Sequence, residues 1–394
     1  MENYYITMQS EYLQPIKKSI IESLASRVNA RSLFHSTEFY EGKIIENKKF
    51  DLFILGVNED RFRPEYAGCK EAPDAVRAEL YSLIKPRKDL SILDLGNIEA
   101  GAAIRDTHFA LTQVLSPLLK QKSIVVLIGG SQDLIAAQYA AFQGVGPNLQ
   151  VVVVDAKAEM QMYEDKNANN YLPNIISHEP DYLFNLTQAA YQGYYVEPET
   201  YDAFERMNFD MLRLGSLRGN IQEIEPYLRE AQMLAFSIKA IRGSDAMGQI
   251  KPSPNGLTGE EACQITRYAG MGTDLRCVGF FDYNPTMDNN GASALLLAQM
   301  IWYFIDGFTT RKLDYPAAES KDYLIYRIPI SSLNEDLTFY KSVLTDRWWM
   351  EIPYPHERSK HQGKFLMPCS YKDYQTAQNN EIPDRWMKSY QKLI

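Results

Sequence analysis

The sequence predicts a three-layer α/β/α sandwich on a mainly parallel sheet, with an N-terminal extension and a C-terminal aromatic appendage. Two observations lead there. Short β-rich runs recur along the chain, each followed by a turn and then by helical periodicity, which is the pattern of βαβ units. The apolar runs are also unbroken rather than alternating, as in Val151–Val154, and that marks strands covered on both faces.

In chain order, residues 1–48 read as the extension, with a helical look around Ile16–Ala25. The layered domain, residues 49–310, opens with the strand Asp51–Val57. Further strands are Ser123–Ile128, Gln150–Val154, Met211–Leu214, Met233–Ile238 and Cys277–Tyr283. Helices fill the crossovers at Pro73–Leu83, where proline suits an early helical position, and at Leu134–Phe142, Gly259–Tyr268 and Ala292–Phe304. Thr258 and Glu261 have capping-box spacing in front of Gly259. Residues 311–394 begin with one more strand-like run, Tyr323–Ile330, and hold Trp348, Trp349 and Trp386, three of the four tryptophans. Such aromatic content argues for a packed appendage, because disordered tails are depleted in it. The tryptophans are expected to anchor the tail against the core or to contact a protein partner or a second subunit.

Of the 394 residues, 45% are hydrophobic and 23% charged, which excludes disordered and collagen-like chains. Forty-one Lys and Arg against 50 Asp and Glu leave a net charge of −9 with no basic run, so nucleic acid is not an expected partner. Cys69, Cys263, Cys277 and Cys369 form no C-x-x-C pair and read as thiols of a reducing compartment. The first residues lack a signal-peptide pattern, and the apolar run Ala292–Ile305 is shorter than the about 20 residues of a bilayer span. A cytoplasmic protein without membrane contact is expected.

In parallel sheets chemistry sits just beyond the carboxyl ends of the strands. Those segments here are Gly129-Gly130-Ser131-Gln132-Asp133, Asp155-Ala156-Lys157-Ala158-Glu159, Leu214-Gly215-Ser216-Leu217-Arg218, Ser237-Ile238-Lys239-Ala240-Ile241, Pro254-Asn255-Gly256-Leu257-Thr258 and Asp282-Tyr283-Asn284-Pro285. Taken together they resemble the ureohydrolases: arginase, agmatinase and, by the PNGLT stretch, especially formimidoylglutamase. Gly68 to Arg77 (GCKEAPDAVR) and Asp94-Leu95-Gly96 are similar to two further segments of that family. The resemblance covers roughly residues 50–308. It implies an arginase-like fold, two Mn²⁺ ions and a bridging water that attacks a guanidino or formimino carbon.

The departures fall on the metal ligands. Where the family motif G-G-D-H-S has histidine, this chain has Gln132; along D-A-H-x-D it has Asp155, Lys157 and Glu159; along S-x-D-x-D it has Lys239 and Ile241. The glutamate of E-x-N-P corresponds to Asp282, a remnant of the catalytic carboxylate that is shorter by one methylene. Lysine is no ligand while protonated, so the expectation is a centre with no metal, in which Lys157 and Lys239 neutralise Asp155 and Glu159.

Three uses of these charges stand open: a structural ion network, a pocket for a small zwitterionic ligand, or a repurposed catalytic site. Gln132, Arg218 and Asp282 complete the candidate binding set. Ser131 lacks a nucleophile elbow, and the five histidines lie outside the aligned motifs. The leading expectation is a non-hydrolytic binding, regulatory or assembly component. The alternative is an active, Mn-dependent amidine C–N hydrolase of the formimidoylglutamase or agmatinase type with an altered site.

Overall fold

Strands that are apolar on both faces must be sandwiched, and the chain folds accordingly. The computed structural model describes residues 10–43, 48–146, 148–158, 160, 171–316, 322–333, 336–353 and 364–393. Among them one sheet holds β1 (Thr37–Phe39), β2 (Leu52–Asn58), β3 (Ile92–Glu99), β4 (Ile124–Ile128), β5 (Leu149–Val154), β6 (Leu183–Tyr191), β7 (Asp210–Arg213), β8 (Met233–Ser237) and β9 (Cys277–Phe281). Their order is β1-β3-β2-β4-β9-β8-β5-β6-β7, and every pairing is parallel.

Alternate residues of one strand serve two cores. Ile124, Val126 and Ile128 belong to the cluster on one face, and Val125 and Leu127 to the cluster on the other. The helix Ala292–Thr309 is long and apolar enough to cross a membrane by length and composition. In this fold Leu297, Met300, Ile301, Phe304 and Ile305 are buried in the first core. It packs on the helix Gly259–Met271 through two glycines. A Cβ on Gly270 would stand 2.1 Å from the Phe304 carbonyl oxygen, and one on Gly307 2.3 Å from that of Arg267.

Three strands and one long helix go beyond the sequence expectation. β1 lies in the stretch read as an extension, yet it pairs with β3 and forms an edge of the main sheet. β3 and β6 carry buried polar residues, among them Asp94 and Gln188, that disguise them as loops. The helix Ile104–Lys120 has Pro117 in its last turn. The expected Thr258–Glu261 capping box is present, with Glu261 N–H donating to Thr258 Oγ1 at 3.1 Å and Thr258 N–H to Glu261 Oε2 at 2.7 Å.

The C-terminal appendage holds more strand than the single run expected. Four antiparallel strands, β10 (Tyr323–Ile328), β11 (Leu337–Ser342), β12 (Trp348–Pro353) and β13 (Lys364–Cys369), form a second sheet. The helices Tyr371–Gln378 and Asp384–Leu393 follow. Neighbours on a strand point to opposite faces. Trp348 stacks on Tyr326 within the appendage's own core, whereas Trp349 lies against the Arg229 guanidinium, 4.5 Å from the ring centre. Trp386 Nε1 donates to the Glu351 carbonyl at 3.0 Å. All three tryptophans are buried within the chain.

Candidate functional site

β4, β9, β8 and β5 are consecutive neighbours in the middle of the sheet. Because all run parallel, their carboxyl ends open on one edge, and the segments that follow bring Gln132, Asp282, Lys239 and Asp155 together. Gly130 lets the β4 end pass the preceding loop: a Cβ there would stand 1.6 Å from the Glu59 carbonyl oxygen.

Asp282 adopts φ +68°, a left-handed conformation that aspartate tolerates better than most residues. Its Oδ1 accepts the Gln132 N–H at 2.9 Å, and its Oδ2 accepts the Ser237 hydroxyl at 2.5 Å. Ser237 Oγ in turn accepts the Lys239 N–H at 3.3 Å, which caps the tight turn Ile238–Ala240 and sets the direction of Lys239.

The Lys239 ammonium sits at the centre. It donates to Gln132 Oε1 at 2.5 Å and lies 3.2 Å from Asp282 Oδ2, 3.4 Å from the Tyr66 hydroxyl and 3.6 Å from Asp155 Oδ2. Lysine, both aspartates and Gln132 are all at least nine-tenths buried. Burial and then Asp282 raise the Tyr66 phenol and the neighbouring Cys69 thiol well above their ordinary values, so both stay protonated.

The other candidates are placed as follows. The Lys157 N–H donates to Asp155 Oδ1 at 3.2 Å, and its ammonium stands 5.4 Å from the centre of the Tyr195 ring. Arg218 is 44% exposed, with Nε 3.9 Å from Glu261 Oε1, and so braces the neighbouring helix start. Ile241 is fully buried and bridges to Leu257. Glu159 lies outside the described residues.

Sequence reasoning missed three participants. Tyr66 follows β2 without any motif to mark it. Ser237 heads the Ser237–Ile241 segment but was not read as a bridge. His108, set aside with the other histidines, reaches the β4 segment: its Nε2 lies 2.7 Å from Asp133 Oδ2, and Asp133 Oδ1 accepts the Ser131 hydroxyl at 2.5 Å. Serine and histidine meet on the carboxylate rather than on each other, so this is no nucleophile–base pair.

The segments resembling GxxxAPxxxR and DLG form one buried cluster elsewhere. Arg77 clasps Asp94 through Nε at 2.8 Å and Nη2 at 2.9 Å, and Nη2 also donates to the Gly96 carbonyl at 2.8 Å. These motifs hold β3 to its neighbouring helix.

The sequence profile of the Arginase family matches residues 50–306. This chain belongs to the arginase family. It is 21% identical over 252 residues to a formimidoylglutamase of Lysinibacillus sphaericus, covering 60% of this chain and 77% of that one. With a formimidoylglutamase of Geobacillus kaustophilus it shares 24% over 243 residues, covering 59% and 75%. Among solved structures, a formiminoglutamase of Trypanosoma cruzi solved with Mn²⁺ superposes with a TM-score of 0.62 at 19% identity, covering 67% of this chain and 95% of that one. A formimidoylglutamase of Bacillus subtilis gives 0.62 at 16%, covering 69% and 91%. At such identities the structural likeness establishes the arginase-like fold, and the four-stranded C-terminal sheet is an addition to it.

Among the described residues, which do not include Glu159, the donor set fits an arginase-family dinuclear centre poorly. Among the described residues no three His, Cys, Asp or Glu side chains converge as metal ligands. Asp155 and Asp282 approach a common point, but an ammonium, which has no lone pair to give, lies within 3.6 Å of both. Gln132 offers its amide oxygen to that ammonium.

Proposed function

We propose that this arginase-family protein works without a di-manganese centre and acts as a non-hydrolytic binding, regulatory or assembly component. One observation carries the reading: the Lys239 ammonium lies between Asp155 and Asp282 and takes the Gln132 side-chain oxygen. A bound metal makes water a nucleophile at neutral pH by lowering its pKa from 15.7 to about 7, and a protonated lysine flanked by carboxylates does not supply that. What these residues do well is balance charge. In the same proposal the strand ends offer Lys157 and the exposed Arg218 to a small amino-acid-like ligand, and the protein is cytoplasmic, with neither nucleic acid nor membrane as partner.

A second reading is an amidine hydrolase of the formimidoylglutamase or agmatinase type, using a metal at an altered site near Asp155, Glu159 and Asp282. The comparisons favour this one: the curated relatives named above are formimidoylglutamases, and the Trypanosoma cruzi enzyme was solved with Mn²⁺.

Metal analysis and turnover decide between them. Purified protein is assayed for metal before and after excess Mn²⁺ and desalting, then incubated with formimidoylglutamate, arginine or agmatine. The first reading expects sub-stoichiometric Mn and no release of formamide or urea. About two Mn per chain, or turnover abolished by Asp155→Asn or Asp282→Asn, establishes the second.

A further inference from the structure

We propose that the Lys239 ammonium is a tethered structural cation that ties the strand ends together, and that its seat is a latent receptor for small primary ammonium ions once the lysine is shortened. This rests on the metal-free reading above.

An ammonium carries three N–H donors. Here it faces oxygens from four separate segments: Tyr66 after β2, Gln132 after β4, Asp155 after β5 and Asp282 after β9. Lys239 itself follows β8, which lies between β9 and β5 in the sheet, so strand order alone delivers its side chain between the two aspartates. The Tyr66 ring adds a π-face, with its centre 5.8 Å from Nζ, and ring faces attract cations. Two carboxylates, an amide oxygen, a phenol and a ring face make a seat that selects a primary ammonium by charge and by hydrogen bonding.

The seat is also deep. The carboxylate side chains are 1% and 0% exposed, and that of Lys239 10%. Removing the ammonium takes away the charge that both carboxylates face at 3.6 and 3.2 Å. Lysine is therefore a positioning residue, and its role is readable in stability and in rescue by a free ammonium ion.

The test uses the full chain, with Lys239→Ala, Lys239→Met and the exposed control Lys18→Ala, melted with and without n-propylammonium chloride. Tetramethylammonium chloride, which has no N–H, is the ionic-strength control. Both Lys239 variants are expected to melt at least about 5 °C below the control. Lys239→Ala should recover with n-propylammonium but not with tetramethylammonium. Lys239→Met fills the volume without the charge, so it should melt low and recover with neither salt. If Lys239→Ala does not fold, the melting deficit of Lys239→Met against the Lys18→Ala control carries the test. A Lys239→Met variant that melts with the wild type, or equal recovery of Lys239→Ala by both salts, overturns the proposal. Two Mn per wild-type chain would overturn the metal-free reading itself, which the melting data alone do not address.

Discussion

The backbone N–H of Gln132 donates to Oδ1 of Asp282 at 2.9 Å, across 150 residues of chain. The other oxygen of that carboxylate takes the Ser237 hydroxyl and faces the Lys239 ammonium. One side chain thus fastens the carboxyl ends of β4, β8 and β9. Asp282→Ala should destabilise the fold by about 3 kcal/mol, because it removes one of the two carboxylates facing a buried ammonium and the acceptor of the Gln132 N–H. Asp282→Asn keeps an acceptor and tolerates the left-handed backbone, so its loss should be smaller. Urea denaturation ranks the two, and equal losses would show that hydrogen bonding at Oδ1 contributes little.

Glu59, fully buried beside Gly130, makes stability depend on acid. Burial alone would raise its pKa, but hydrogen bonds from Arg61 and Thr107 outweigh that and bring it from 4.5 to about 2. The folded value lies below the unfolded one. Its contribution is therefore present above pH 4.5 and lost as pH falls towards 2. Thr107 donates to Glu59 Oε2 at 2.7 Å. Thr107→Val should cost about 1.5–3 kcal/mol at neutral pH and move acid unfolding to higher pH. An unchanged midpoint in an acid titration followed by tryptophan fluorescence would refute it.

The two long helices touch at Gly270 and Gly307, where an added Cβ would meet backbone oxygens at 2.1 and 2.3 Å. On an exposed helix Gly→Ala is favourable by roughly 1 kcal/mol. Here the backbones must separate, so Gly270→Ala and Gly307→Ala should each destabilise, by about 1–3 kcal/mol. A raised denaturation midpoint for either variant would mean that the helices can slide apart freely.

At the far end of the appendage, Lys392 donates to Asn185 Oδ1 at 2.5 Å and lies over Phe184 and Phe209. Burial, aided by Lys388 and opposed by Asp210, brings its pKa from 10.5 down to about 8. The folded chain then binds fewer protons than the unfolded chain between pH 8 and 10.5, so stability rises with pH across that window. Below it the cost of confining the charge is constant. Lys392→Met should remove this slope, and melting temperatures of the two proteins that run parallel from pH 8 to 10.5 would show that the lysine is solvated.

The unbroken runs Val125–Leu127 and Val151–Val154 announced their strands because burial on both faces leaves no other use for such sequence. β3 and β6 were hidden by polar residues whose partners are distant. Asp94 answers Arg77, and the Gln188 side chain donates to the carbonyls of Asp155 and Lys157. In the tail, Trp348 and Trp349 were legible as anchors, but not the sheet that turns one into the appendage's core and the other against Arg229, since antiparallel partners declare no fixed spacing. At the site, the resemblance placed Lys157 and Lys239 where the family motifs have ligands. That Lys239 takes the centre while Lys157 lies over Tyr195 follows from the order β9-β8-β5, which no local pattern encodes.

That order also sets a timetable for synthesis. β4 is complete at residue 128, yet its inner neighbour β9 begins only at residue 277, after β5 to β8 have been made. At about 5–20 residues per second the growing chain carries an apolar, unpaired β4 edge for roughly 7–30 s. Ribosome-stalled chains ending before Cys277 should accordingly stay protease-sensitive and chaperone-bound. Chains stalled far enough beyond the helix Ala292–Thr309 for it to emerge should close their central strands and lose both properties.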